Sequence, residues 1–145
     1  MRTAGIAALA LALAASPAPA PAQPGESAAA VPAPGSAQRR AILDALRPAI
    51  EARLGRGLEF LVQRIQVRDG WAVVMADPRR RGGGRIDGRR IFGDDFEHMD
   101  GLTVTAVMRF ANGRWRHVDH AIGATDVWYC GSDVWPADVG RRFGC

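Results

Sequence analysis

The chain contains no lysine, because all 19 of its basic residues are arginine. This absence excludes a lysine nucleophile, a lysine Schiff base and the lysine of a phosphate-binding loop. Aromatic residues occupy only 7% and charged residues 23% of the 145 positions, and the formal net charge is +4. With 48% hydrophobic residues, the composition excludes a collagen-like repeat and a highly charged disordered chain, and the length favours one domain.

Long hydrophobic runs are also lacking. The longest, residues 4–15, is shorter than the about 20 residues that a membrane-spanning helix needs. It follows a positive charge and precedes the small residues Ala20 and Ala22, a pattern typical of a secretory signal peptide. We predict that residues 1–22 are this signal peptide, and that the mature protein is periplasmic or secreted and has no transmembrane segment. An uncleaved membrane anchor is the alternative.

The segment that follows, residues 23–37, is rich in proline, alanine, glycine and serine and has almost no charge. It shows no periodic apolar pattern, so we predict a flexible linker. Residues 38–145 then form the single folded domain, which is long enough to bury a modest core.

Cysteine occurs twice, at Cys130 and Cys145. An even number of cysteines in an exported protein favours a disulfide. Free thiols are the alternative. A metal site is disfavoured because no histidine pair lies nearby in the sequence and the spacing is not C-x-x-C. We therefore predict a Cys130–Cys145 disulfide and no metal.

Residues 36–54 carry apolar side chains at steps of three and four, which predicts a helix that ends before Gly55. Pro48 lies inside this segment and lacks the N–H that would bond to the carbonyl of Asp44. We expect a kink at the proline and one helix, not two.

Two pairs of apolar segments follow, each joined by a short turn that contains glycine. The first pair, 58–67 and 71–76, is joined by Arg68-Asp69-Gly70, and the second pair, 102–110 and 114–122, by Ala111-Asn112-Gly113. Asn-Gly between alternating strands is a strong hairpin signal. The sequence thus predicts an α+β domain in which one proline-kinked helix packs on a four-stranded antiparallel sheet built from two hairpins. The aromatic tail after residue 122 is expected to pack on the sheet with irregular backbone.

Several of these segments resemble a family of small, exported, uncharacterised bacterial proteins. The resemblance rests on residues 42–48, 69–74, 113–116 and 119–127. The order of helix and strands is also similar to cystatin-like and NTF2-like folds. The family pattern implies an aliphatic residue where His117 stands, which counts against an obligatory catalytic role for this histidine.

His117, Asp119 and His120 lie close together in the last predicted strand. Regular alternation places His117 and Asp119 on one face and His120 on the other, so the three cannot share a metal without a bulge. His117 and Asp119 are candidates for an oriented general base. A hydrogen-bonded structural contact or a solvated face is the alternative.

A long polar loop is predicted between the hairpins, over about residues 78–100. Its first half is basic, and its second half is acidic, with Asp94, Asp95, Glu97 and Asp100. Guanidinium groups pair bidentately with carboxylates and phosphates, so the basic half is a candidate binding surface. A solvated loop that neutralises its own charge is the alternative. The candidate binding residues are Arg79, Arg80, Arg81, Arg85, Arg89 and Arg90.

No nucleophile or cofactor motif accompanies these residues, and the three serines after residue 22 lie outside any G-x-S-x-G pattern. We therefore expect a non-catalytic binding or interaction module without a cofactor. Its partner is expected to be an acidic envelope component or a protein, and the predicted export disfavours nucleic acid. The alternative is a small cystatin-like or NTF2-like enzyme that uses His117 and Asp119 in a pocket.

Overall fold

The computed structural model describes residues 29–131 and 133–145. The predicted signal peptide, residues 1–22, and the start of the predicted linker lie outside this range. The described end of that linker contacts the domain, because Ala30 forms an antiparallel bridge with Val67 through two hydrogen bonds of 2.8 Å.

The first helix, α1, covers Ala37–Leu54. It begins where the side chain of Ser36 accepts a hydrogen bond from the backbone N–H of Arg39 (3.2 Å). The buried side chains recur at every fourth position and form a single stripe facing the sheet. They are Ile42, Leu46, Ile50 and Leu54. The prediction of one helix is confirmed, since Pro48 lies inside it.

Four strands follow in two hairpins: β1 (Leu58–Arg68), β2 (Trp71–Arg80), β3 (Val104–Ala111) and β4 (Arg114–Ile122). They form one antiparallel sheet in the order β1-β2-β3-β4. Each hairpin turns through two residues with positive φ, Asp69-Gly70 (50° and 76°) and Asn112-Gly113 (53° and 74°). Asn, Asp and Gly tolerate this conformation best, so the predicted hairpins and the α+β class are confirmed for a clear local reason.

The two faces of the sheet are covered differently. α1 packs on one face, and its apolar stripe meets Val74, Ala106 and Met108. The C-terminal tail packs on the other face through a short 3-10 turn (Trp128–Cys130) and a helix (Ala137–Arg142). The central strands β2 and β3 are therefore buried on both sides.

The tail forms a second, aromatic core. Trp135 stacks on Phe143 with ring centroids 5.1 Å apart and meets Trp71 edge-on at 6.3 Å. The predicted disulfide is confirmed, because Cys130 is bonded to Cys145. The prediction that the tail packs on the sheet is correct, whereas the expected irregular backbone includes one regular helix.

The predicted loop between the hairpins is wrong in its structure, although its position is right. β2 continues to Arg80, and a short helix, α2, covers Gly88–Phe92 and leads into a 3-10 turn at Gly93–His98. The side chain of Asp87 caps α2 by accepting the N–H of Arg90 (3.0 Å). Gly88 is buried beneath Phe96, whose ring would lie 2.2 Å from a Cβ at this position. Capping and this close contact order a segment that composition alone predicts to be irregular.

With α2 placed, the later helix Ala137–Arg142 is named α3. Within the two described ranges, no helix is long and apolar enough to cross a membrane.

Candidate functional site

A bulge in β4 determines where the histidines lie. Met108 of β3 pairs with His117, and Val107, the residue before it, pairs with Asp119. Val118 therefore has no partner in β3 and is the extra residue of β4. One extra residue shifts the alternation of side chains by one position. His117 and His120 consequently share the α1 face, with His117 Nε2 and His120 Nδ1 3.0 Å apart.

The expectation that His117 and Asp119 share one face of the sheet and that His120 lies on the other is therefore wrong. Asp119 lies opposite Val107, whose side chain belongs to the aromatic core of the tail. The carboxylate of Asp119 accepts the backbone N–H of His120 (2.8 Å). The hydrogen-bond partner of the His117 ring is thus His120, and the general-base pair that the sequence indicated is replaced by two hydrogen-bonded imidazoles.

Both imidazoles are half-buried, and burial is the main reason that the pKa of each is lowered. For His120, His117 and the guanidinium of Arg53 lower the pKa further, while Asp119 opposes them. A hydrogen bond between two imidazoles needs one ring nitrogen without a proton. Burial therefore favours neutral rings at neutral pH, and the hydrogen bond excludes protonation of both rings at once.

This pair makes stability depend on pH. In the unfolded chain a histidine has a pKa of about 6.5, and the folded values lie below this. The unfolded state thus binds more protons below about pH 6.5, so the free energy of unfolding falls on acidification. Urea unfolding at a series of pH values should show this fall in the wild type and a smaller one in His117→Gln/His120→Gln. The control is His98→Gln, a change at the exposed third histidine. An unchanged pH dependence in the double variant would contradict the prediction.

A small pocket of about 300 Å³ opens beside His120. We call it the ring pocket, and its walls are Arg53, Phe92, His120 and Ile122. The guanidinium carbon of Arg53 lies 5.8 Å from the centroid of the Phe92 ring. The pocket therefore combines two aromatic rings, an aliphatic side chain and one positive charge.

A larger cavity of about 460 Å³ adjoins it at the C-terminal end of α1. We call it the arginine groove, and four of its lining residues are arginines and one is a carboxylate. The lining residues are Arg53, Leu54, Gly55, Arg80, Arg85, Ile86, Asp87, Arg90 and Ile91.

The structure separates the six candidate arginines by role. Arg80 is engaged in the fold, because its guanidinium donates to the carbonyls of Leu54 (2.6 Å), Arg56 (3.0 Å) and Gly55 (3.1 Å). These carbonyls belong to the end of α1, where a positive charge also suits the helix dipole.

The other candidates divide between the surface and the groove. Arg89 forms an ion pair with Glu97 (2.7 Å). Arg79 and Arg81 are exposed at the end of β2 and in the turn after it. Arg85 and Arg90 line the arginine groove. Of the six predicted residues, Arg85 and Arg90 therefore line the groove without being engaged in the fold as Arg80 is.

Arg53 is the residue that sequence reasoning missed. It lies in the last turn of α1, far along the chain from Arg85 and Arg90, and only the folding of α2 against α1 brings the three together. Over the described ranges, none of these three guanidinium groups forms a hydrogen bond or an ion pair. No periodicity or motif indicates Arg53, because its role depends on a tertiary contact.

Comparison of the chain with protein families, curated proteins and solved structures gave no match. Among the described residues, no group of three or more histidines, cysteines, aspartates or glutamates is placed to hold a metal ion.

Proposed function

We propose that this protein is an exported, non-catalytic binding module that holds an acidic partner in the arginine groove. The observation that carries the proposal is the grouping of Arg53, Arg85 and Arg90 around one cavity. Guanidinium groups that converge on a cavity pair well with carboxylates and phosphates, often through two hydrogen bonds each.

The charge balance of the groove supports an anionic ligand. Asp87 is the single carboxylate of the lining, and one of its oxygens accepts the backbone N–H of Arg90. The donors of Arg80 that contact the helix carbonyls are already occupied, so this arginine is less available to a ligand. Among the described residues, three guanidinium groups without an ion pair face one hydrogen-bonded carboxylate, which leaves the groove positively charged. Such a charge attracts acidic partners over distances of about 10 Å.

The export part of the proposal rests on the signal-peptide pattern of residues 1–22 and on the disulfide. Disulfides persist in oxidising compartments such as the periplasm and the exterior. The proposal includes membership of the family of small exported bacterial proteins that the sequence resembles. Binding is preferred to acid–base catalysis because the ring of His117 contacts His120 and not the carboxylate of Asp119.

Removing two groove charges should weaken binding of a polyanion. Polyglutamate is a suitable probe, titrated at low ionic strength and followed by backbone amide NMR shifts. In Arg85→Gln/Arg90→Gln we expect the affinity to fall about tenfold, since each exposed ion pair contributes up to about 1 kcal/mol. In the wild type the shifted amides should lie around Arg53, Ile86 and Ile91, and added salt should reverse the shifts.

The matched control is Arg114→Gln/Arg116→Gln, which removes two exposed charges at the opposite end of β4. This control should bind polyglutamate like the wild type. Equal weakening in both double variants would mean that net charge, and not the arginine groove, attracts the probe, and the proposal would then be wrong.

A further inference from the structure

The arginine groove and the ring pocket share one side chain. Arg53 lines both cavities, and the neighbours Ile91 and Phe92 of α2 line one cavity each. A ligand whose anionic group reaches Arg53 from the groove therefore meets the ring pocket next.

The ring pocket has the chemistry of an aromatic site. Its walls include the aromatic rings of Phe92 and His120, together with the aliphatic side chain of Ile122. Aromatic rings attract one another in stacked and edge-on arrangements, which contribute beyond the area that they bury. The imidazole of His120 is half-buried and bonded to His117, so its position is fixed before a ligand arrives.

We propose that the ligand of the arginine groove is a small aromatic anion, whose ring occupies the ring pocket and whose carboxylate or phosphate pairs with Arg53, Arg85 and Arg90. This inference rests on the proposed function and narrows its ligand class. Arg53 serves both parts of such a ligand, because its guanidinium lies beside the Phe92 ring and also lines the groove.

The site also couples binding to the proton at His120. The charged or titratable groups that act on this ring are Arg53 on α1 and His117 and Asp119 on β4. An anion bound at Arg53 offsets the positive charge that disfavours a protonated imidazole. Binding therefore raises the pKa of His120, and by linkage the affinity increases as the pH falls.

The test compares benzoate with acetate, which carry the same charged group with and without a ring. At matched ionic strength, NMR titration should give an affinity about tenfold higher for benzoate. Benzoate should shift amides near Phe92, His120 and Ile122 in addition to those of the groove. It should also raise the pKa of His120, measured from the ring proton shifts. Between pH 7.5 and pH 5.5, where carboxylates stay ionised, the binding of both anions should tighten, because the coupling acts through the charge at Arg53.

Phe92→Leu removes the ring and keeps an apolar side chain. It should lower the ratio of benzoate affinity to acetate affinity several-fold, and this ratio cancels any effect of the lost Phe92 ring on Arg53. The matched control is Phe110→Leu at the other end of the sheet, where the phenylalanine is 47% exposed. If Phe92→Leu disturbs the amide spectrum, the wild-type comparison of benzoate with acetate decides alone, and equal affinities for the two anions overturn the inference.

The outcomes separate this inference from the proposed function. Equal affinities for benzoate and acetate, together with polyglutamate binding at the groove, would overturn the aromatic ligand and leave the groove intact. Tight benzoate binding at the ring pocket without any polyglutamate binding would instead exclude a polyanion as the acidic partner and support the small aromatic anion. Benzoate shifts confined to other surfaces would overturn the aromatic site.

Discussion

Replacing Cys145 by serine is expected to lower the free energy of unfolding by about 3 kcal/mol. The Cys130–Cys145 bond closes a loop of 15 residues, and the loss of chain entropy in the unfolded state predicts a contribution of this size. The closed loop contains Trp135, Val139 and Phe143, which cover Trp71 and Val107 on the sheet. Without the bond, the tail must hold its place by packing alone. Urea unfolding monitored by tryptophan fluorescence measures the change.

Three controls test whether the bond itself is responsible. Cys130→Ser should lose the same free energy as Cys145→Ser, the double variant should lose no more than either, and the reduced wild type should match them. Wild-type stability in the single variants would show that the aromatic packing holds the tail without the bond. A larger loss in the double variant would show that the cysteines also act separately.

The elements that sequence analysis predicted correctly are those determined by local rules. The buried stripe of α1 follows from apolar spacing, and its start follows from the capping side chain of Ser36. The hairpins follow from Asp69-Gly70 and Asn112-Gly113, which adopt the positive φ that their turns require. In each case the physical cause lies within a few residues of its effect.

The features that sequence analysis missed depend on contacts across the fold. The bulge at Val118 moves His120 to the α1 face, and nothing in the alternation of β4 indicates an extra residue there. Arg53 reaches Arg85 and Arg90 only after α2 has folded against the end of α1. Asp87 carries the capping pattern of α2, because it lies three residues before the N–H that its side chain accepts. The arginines and glycines around it are typical of a loop and do not indicate a helix.

The histidine pair and the arginine groove depend on the same part of the fold, the C-terminal end of α1. Arg53 lies in the last turn of α1 and lowers the pKa of His120. The guanidinium of Arg80 donates hydrogen bonds to the carbonyls of Leu54 and Gly55 at the end of the same helix. Arg80 therefore holds the end of α1, which forms one wall of the arginine groove. The positive charge that is available to a ligand comes from Arg53, Arg85 and Arg90.

This division of roles predicts that substitution of Arg80 lowers the stability of the protein and that substitution of its neighbour Arg79 does not. Arg80→Gln removes the guanidinium that donates to Leu54, Gly55 and Arg56. Hydrogen bonds from charged donors contribute about 1.5–3 kcal/mol each when well buried. These are partly exposed, so we expect the free energy of unfolding to fall by about 2 kcal/mol in total, measured by urea unfolding.

Arg79→Gln is the matched control, because it makes the same change one residue earlier, at the exposed end of β2. Its unfolding free energy should stay within about 0.5 kcal/mol of the wild type. Amide hydrogen exchange adds a local measurement: in Arg80→Gln, but not in Arg79→Gln, the last turn of α1 should exchange faster. Equal stability of the two variants would mean that water satisfies the helix carbonyls as well as Arg80 does. Arg80 would then count with Arg53, Arg85 and Arg90 as a charge free to bind the ligand.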